Sequence, residues 1–360
     1  EIDRLIEDEV RQLVHGENVE LVDFFSGRKQ SDHLIKIERD RLIADVESRL
    51  SQAPLLTQRV IRYHNSLPVR GFTEVVRRRR SEALKYVENM KDDEKKRAAT
   101  RHLDQVLKQP KPILQPSTNS ARAFGIGSSF MSMKREVRNI FTRDWVTMDL
   151  SSAHLAIVSK LWNIPELREH LEGGNAIWTY LCAELGAPIV FKPALKTAIY
   201  SLVFGASQER VVEPLQVLPD PPTTNDFFEI PFMRQVFDAR KKESLSIIEQ
   251  GWGQTGFGRI IELPKVSKRT KDGWEKHAAV ARSILALEAQ SVELRLISPI
   301  YDVLENTESK IMLYLFDGVK VRFDSALKDS TQSLKNKLIS AVEETAKYLN
   351  IPTTLEISGE

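Results

Sequence analysis

Four side chains in the stretch KPALKTAIYSLVFGAS stand four residues apart: Lys192, Lys196, Tyr200 and Phe204. Two cations precede two aromatic rings. In an α-helix each step of four advances about 40°, so the four drift across one flank. Leu195, Ala198, Ile199 and Leu202 fall on the neighbouring face as an apolar stripe for burial, which leaves the Lys-Lys-Tyr-Phe flank to meet something outside the helix. Pro193 suits a first helical turn, and Gly205 suits a left-handed cap at the end. The lysines then lie at the positive end of the helix dipole, which favours an anion, and the flat rings follow. A polyphosphate joined to a base has that order of charge and flatness. A surface helix bearing lysines and two core rings would show the same residues.

Two carboxylates offer a second kind of chemistry. Asp149 closes the β-rich run WVTMDL, ahead of a helix whose start is marked by Ser151 and Ser152. Asp317 lies in IMLYLFDGVKVRFD, which reads as a hairpin with Asp317-Gly318 as its turn dipeptide. Strand ends hold side chains rigidly. Brought together, two aspartates suit two Mg²⁺ ions, which prefer oxygen ligands and keep waters and phosphate oxygens as the others. Such a pair can clamp the attacking and leaving oxygens of an in-line phosphoryl transfer. Taken singly, each aspartate reads as a turn or a helix cap.

The elements that must position these groups are legible in outline. LIEDEVRQLV, HLIKIERDRLIADVESRL and SEALKYVENMKDDEKKRAATRHLDQVLKQ carry apolar residues at helical spacing and name no chemistry. Prolines 110, 112 and 116 then forbid a continued helix, which sets a boundary near 111. Further on come the loop-like LPDPPTTND, the stretch GQTGFGRIIELP and the long helix HAAVARSILALEAQSVELRLISPIYDVL. The chain has 360 residues, 41% of them hydrophobic, enough for two or three subdomains. Its 52 basic and 50 acidic residues nearly cancel, although Arg77 to Arg80 and Lys265, Lys268, Arg269 and Lys271 are clustered. Cys182 is the only cysteine, which excludes an intramolecular disulfide and a cysteine-based zinc site and fits a reducing cytosol. The histidines show no metal spacing, no apolar run is long enough for a membrane span, and the start EIDRLIEDEV is acidic where a signal peptide is basic. These features lead us to expect a cytoplasmic protein without a membrane partner.

Several segments, in order, carry a family resemblance. DLSSAHLAIV resembles the first palm motif of the family A DNA polymerases, the bacterial DNA polymerase I type, usually DYSQIELRIL. KPALKTAIYSLVFG resembles their fingers helix, RxxxKxxxFGxxYG, and GQTGFGRIIELP resembles VxTxxGRRRxLP. RSILALEAQS resembles RxxxNxxxQG, LFDG resembles the VHDE hairpin, and KYLNIPTTLEISGE resembles the closing helix and strand. The match covers residues 111 to 360. It implies an α+β, right-hand polymerase with an antiparallel-sheet palm, helical fingers and a helical thumb. The regions would be 1–110 as a thumb-like helical region, 111–165 as the first part of the palm, 166–265 as the fingers with their helix at 193–204, and 266–360 as the second part of the palm with the closing helix and strand.

The resemblance also implies roles. Asp149 and Asp317, with the Leu150 carbonyl, would hold two Mg²⁺ ions, Mn²⁺ being the substitute. Lys192 would bind the triphosphate, and Lys196 would contact phosphate and protonate the leaving pyrophosphate. Tyr200 would stack on the incoming nucleotide, and Phe204 and Gly205 would border the templating base. Arg282 and Gln290 would touch the minor groove of the growing duplex, Arg259 the DNA, and Arg122 the primer. Departures accompany these matches. The sugar-gate Glu is His154, the His before the second catalytic Asp is Phe316, and the acid after it is Gly318, so two of three acidic positions remain. No proofreading exonuclease is expected from these residues.

The expectation is thus a DNA-directed DNA polymerase of phage or plasmid replication type, acting on primer-template DNA and nucleoside triphosphates. A helicase or another replisome protein is a further candidate partner. The alternatives are an RNA-synthesising polymerase or primase and a catalytically weak primer-template binding protein. His154 and Phe204 leave less room for a ribose and supply no tyrosine hydroxyl to read one, which favours deoxynucleotides.

Overall fold

The computed structural model describes residues 21–22, 29–30, 32–117, 120–127, 129–174, 176–324 and 328–358. The expected helix LIEDEVRQLV lies outside them. The described chain is α+β and divides into two compact units: Glu1–Asp149 with Leu304–Gln332 and Ile357–Glu360, and Leu150–Val303 with Ser333–Glu356.

In the first unit, a two-residue antiparallel pairing of β1 (Leu21–Val22) with β2 (Lys29–Gln30) precedes four helices. These are α1 (Asp32–Leu50), α2 (Leu55–Ser66), α3 (Arg70–Glu88) and α4 (Asp93–Lys108). The sequence SEALKYVENMKDDEKKRAATRHLDQVLKQ, expected to run as one helix, is interrupted between Glu88 and Asp93. The reason is local: the Asp92 carboxylate accepts from the Glu94 and Lys95 amides and starts a new helix, with Asp93 and Glu94 in its first turn. Phe72, Val75, Val76, Ala83 and Val87 form the buried face of α3. They join Phe130, Phe141 and Trp145 in one aromatic core, with α5 (Arg135–Phe141) against α3. The hairpin of β3 (Leu114–Ser117) and β4 (Ser120–Gly125) is pinned to α2, where Asn65 acts as a strand partner: its amide donates to the Leu114 carbonyl (2.9 Å) and its oxygen accepts from the Leu114 N–H (2.8 Å).

The sheet that bears the aspartates has the order β10-β5-β9-β8, formed by β5 (Val146–Leu150), β8 (Lys310–Tyr314), β9 (Gly318–Arg322) and β10 (Leu355–Ser358). Strands β5 and β9 run antiparallel with Asp149 opposite Gly318, and β9 returns antiparallel beside β8. Val319 and Val321 of β9 and Ile311 and Leu313 of β8 are fully buried, and Met312, Tyr314 and Lys320 on the other face are buried too, so this strand pair is covered on both sides.

The second unit is mainly helical. It holds α6 (Ala153–Leu161), α7 (Pro165–Glu172), α8 (Ile177–Glu184), α9 (Lys192–Val203), α10 (Gln208–Val212), α11 (Thr224–Glu229), α12 (Pro231–Gln250) and α13 (Lys271–Leu304). The segment expected as the loop LPDPPTTND ends in a capping box, Thr223 with Asp226, that begins α11. A short hairpin, β6 (Trp252–Gln254) with β7 (Ile260–Glu262), contains GQTGFGRIIELP. Helix α14 (Lys328–Leu349) leads to β10. The core of this unit gathers Leu195, Ala198, Ile199, Leu202 and Val203 of α9 with Leu155, Trp178, Phe227 and Leu285. Among the described residues no helix is long and apolar enough to cross a membrane.

Candidate active site

The first unit places Asp149 on β5 and Asp317 in the turn between β8 and β9. Asp149 is the β5 partner of Gly318, and Asp317 precedes Gly318 in the chain, so the register brings near each other two residues far apart in sequence. The turn is built differently from the expected Asp-Gly type. Phe316, not Gly318, takes the left-handed conformation (φ 70°), and Leu315 N–H donates to the Gly318 carbonyl at 2.8 Å. A non-glycine residue held there costs about 1–2 kcal/mol. Contacts hold it: the Phe316 ring meets Tyr314 (5.7 Å) and Phe124 (5.6 Å), and the Arg122 guanidinium lies 4.7 Å from its centroid. Arg122, expected at the primer, therefore sits against the turn that carries Asp317. Strain of this kind gathers at sites where a side chain must be aimed.

Gly318 has a second duty. A Cβ at this position would stand 1.8 Å from Asp149 Oδ1, so the Asp149 carboxylate occupies the space where a side chain would begin. Cations surround that carboxylate. Burial, then the Arg138 guanidinium, holds the Lys320 amine down at about 8, with Asp149 pulling the other way. Burial, then Arg135, lowers Arg138 from its ordinary value, again against Asp149. Arg138 and Lys320 were missed in the sequence, where only the position of Lys320 in an apolar strand marks it. Two carboxylates supply oxygen ligands of the kind a hard divalent cation takes. Among the described residues, no group of three or more His, Cys, Asp or Glu side chains could hold a metal ion.

The second unit places the cation-and-ring flank as its spacing predicts. Helix α9 runs Lys192–Val203, Phe204 is its cap residue, and Gly205 follows in the left-handed conformation (φ 88°). The flank meets neighbours of its own chain rather than standing clear of them. Lys192 and Lys196 lie 5.9 and 5.1 Å from the Trp178 ring centroid, and Tyr200 and Phe204 pack on His154 at 4.9 and 5.2 Å. A recess of ≈ 520 Å³ opens along Thr197, Tyr200, Ser201, Phe204, Gly205 and Ala206. His154 belongs to α6, whose start also departs from expectation. Ser152 is its cap residue but is left-handed (φ 49°), and its side chain makes no capping bond. Ser151 instead donates to Glu356 (2.5 Å), its amide donates to the Thr354 carbonyl, and Leu150 ends β5, buried.

The imidazole of His154 has one partner that sequence reading missed. Its Nε2 lies 3.6 Å from a carboxylate oxygen of Glu293, a residue with no exposed surface. The signal was a charge on the buried stripe of α13, in line with Ala289 and Ile297. Arg282 and Gln290 share that helix. Arg282 is exposed and lies across Gly205, where a Cβ would meet its Cδ at 2.2 Å. Arg240 beside it donates to the Leu202 carbonyl at 3.0 Å and so satisfies the end of α9. Arg259 is exposed beside the β6–β7 hairpin, where Thr255 N–H donates to its carbonyl at 2.9 Å. Of the basic clusters, Arg78 and Arg79 are engaged with Asp144, and Lys268 donates to the Ile248 carbonyl.

No protein-family model matches this chain, and no curated protein matches its sequence. Its structure is similar to the POL domain of Pol1 from M. smegmatis, solved in complex with DNA primer-template and dNTP, at a TM-score of 0.58 and 15% identity. The similarity covers 74% of this chain and 50% of that one, so the chain spans about half the length of the structure it matches. At this level of identity the likeness establishes the fold: that of a DNA polymerase domain.

Proposed function

We propose that the chain is a template-directed nucleotidyltransferase, a DNA polymerase that extends a primer with deoxynucleotides. The observation that carries this reading is the pairing of Asp149 with Gly318, which sets Asp149 beside the turn that carries Asp317 within a polymerase-like fold. The primer 3′-hydroxyl would attack the α-phosphate, and pyrophosphate would leave. Asp149 and Asp317, with the Leu150 carbonyl next along β5, would hold Mg²⁺, which when bound supplies charge neutralisation to the attacking and leaving oxygens. Lys196 would hold the phosphates and give a proton to the departing pyrophosphate, while Lys192 would bind the triphosphate. Tyr200 would stack on the incoming nucleotide, and Phe204 and Gly205 would border the templating base. Arg282, Gln290, Arg259 and Arg122 would meet the primer-template. We assign residues 1–110 to a thumb, 111–165 and 266–360 to a palm and 166–265 to fingers, in an enzyme of phage or plasmid replication type related to family A.

The test is extension of a labelled primer on a DNA template with Mg²⁺, supplied with dNTPs or rNTPs. The parent extends with dNTPs, and Asp149→Ala and Asp317→Ala each lower the rate at least about a hundredfold. Both variants keep duplex binding, because affinity comes mainly from contacts to phosphates elsewhere. A parent that extends with neither substrate overturns the reading, as does either variant at a tenth of the parent rate or better. Preference for rNTPs replaces it with RNA synthesis.

A further inference from the structure

Glu293 is the residue that the proposed reaction leaves without a task. It lies in the run Val292-Glu293-Leu294 of α13, all buried, with no exposed surface of its own. A carboxylate taken out of water is costly unless another group compensates it. One group facing it is the His154 imidazole, 3.6 Å away and itself buried. Tyr200 and Phe204 of α9 then close on that imidazole at 4.9 and 5.2 Å. Three helices thus meet in a fixed chain: carboxylate, imidazole, two rings. The rings line the open recess beside α9.

The order of groups along α9 says which part of a nucleotide would meet that chain. Successive members of the Lys192, Lys196, Tyr200, Phe204 series rise about 6 Å per step. A nucleotide laid along them with phosphates at the lysines and its base stacked on Tyr200 puts its sugar between Lys196 and Tyr200, beside the ring on which His154 packs. This rests on the reading of the chain as a polymerase. We propose that Glu293 is a positioning residue for sugar selection: its buried carboxylate holds the His154 ring in one orientation, and the buried imidazole so held fixes the Tyr200 and Phe204 rings that line the recess, where they turn away a 2′-hydroxyl. An imidazole released from Glu293 can rotate about its side-chain bonds and let those rings give way to the larger sugar.

The experiment compares kcat/KM for dATP and ATP in primer extension by the parent, Glu293→Gln, Glu293→Asp, His154→Ala and the double variant His154→Ala/Glu293→Gln. Melting curves confirm that each is folded. The parent prefers dATP by about 10- to 200-fold, the scale for steric rejection of one small group. Glu293→Gln, which keeps the shape and removes the charge, lowers that ratio by roughly threefold to tenfold, a modest part of the steric scale, through a lower KM for ATP. Glu293→Asp restores part of it. The double variant matches His154→Ala alone, because the carboxylate acts only through the imidazole. A dATP:ATP ratio within about twofold of the parent in folded Glu293→Gln, below the scale of a single coupled contact, overturns the proposal while leaving the polymerase reading intact. So does a double variant in which the two losses multiply. A parent that uses neither nucleotide overturns both.

Discussion

The hairpin that carries Asp317 and the helix that carries Lys192 to Phe204 belong to different compact units and hold their groups by opposite means. On α9 the groups follow from helical periodicity alone, and each shares the flank with the next because the buried stripe beside it is fixed by Leu195, Ala198, Ile199 and Leu202. In the sheet nothing local joins Asp149 to Asp317. Their approach depends on the register of β5 against β9, on a left-handed Phe316, and on the absence of a side chain at Gly318. A group held by periodicity tolerates changes around it. One held by register and close contact does not, and the two regions should respond unequally to small substitutions.

Gly318→Ala is the sharpest way to test that inequality, since one methyl group 1.8 Å from Asp149 Oδ1 must drive the carboxylate aside. Extension should fall about a hundredfold, the scale for misplacing a reacting group by about 1 Å, with duplex binding retained. Gly318→Glu, which adds an acid, should be no better than Gly318→Ala. Activity above that of the parent in Gly318→Glu would show that the glycine is not there for Asp149.

On α9 the effects should be smaller and separable. Lys196→Ala should lower kcat by about tenfold or more and raise KM as well, because a charge on the leaving pyrophosphate acts most in the transition state. Lys192→Ala should mainly raise KM. Equal changes in KM with kcat untouched in both would remove the distinction between them, and with it the order of phosphates along the helix.

The smallest effect on activity at neutral pH, and a clear one on stability, is expected at His64. Burial, then the charge of Lys111, lowers its imidazole from 6.5 to about 3. The unfolded chain therefore binds the extra proton between these values. Stability from this group is fully present above pH 6.5, declines as pH falls, and is lost by about pH 3, some 2 kcal/mol being gone at pH 5. Urea unfolding of the parent and of His64→Leu at pH 7.5 and pH 5 measures it. The variant should lose less on acidification, and an equal loss in both would place the acid sensitivity elsewhere.

How much could be read from the sequence follows the same division. The α9 face, its glycine cap and the two strands around Asp317 were visible as periodicity or turn chemistry, and the closing helix and strand through the family resemblance. The break before Asp93 was hidden by a continuous apolar period, although Asp92 ahead of two acidic residues is what starts the new helix. The true geometry of the Asp317 turn was hidden, because an Asp-Gly pair suggests a left-handed glycine and the structure assigns that conformation to Phe316. Glu293, Trp178 and Arg240 were hidden for another reason. Each acts through a partner on a different helix, and neither period nor composition says which helices will meet.

The first turn of α9 contains no acidic residue and no side-chain cap, and it carries Lys192 and Lys196 at the end where the dipole is already positive. In isolation that turn is the weakest part of the helix, strained by like charges. The ring end of the helix is anchored by Arg240, and the lysine end rests on the Trp178 ring. On the proposed function, an arriving polyphosphate would discharge the repulsion and satisfy the end amides in one event, so occupancy and local order would rise together.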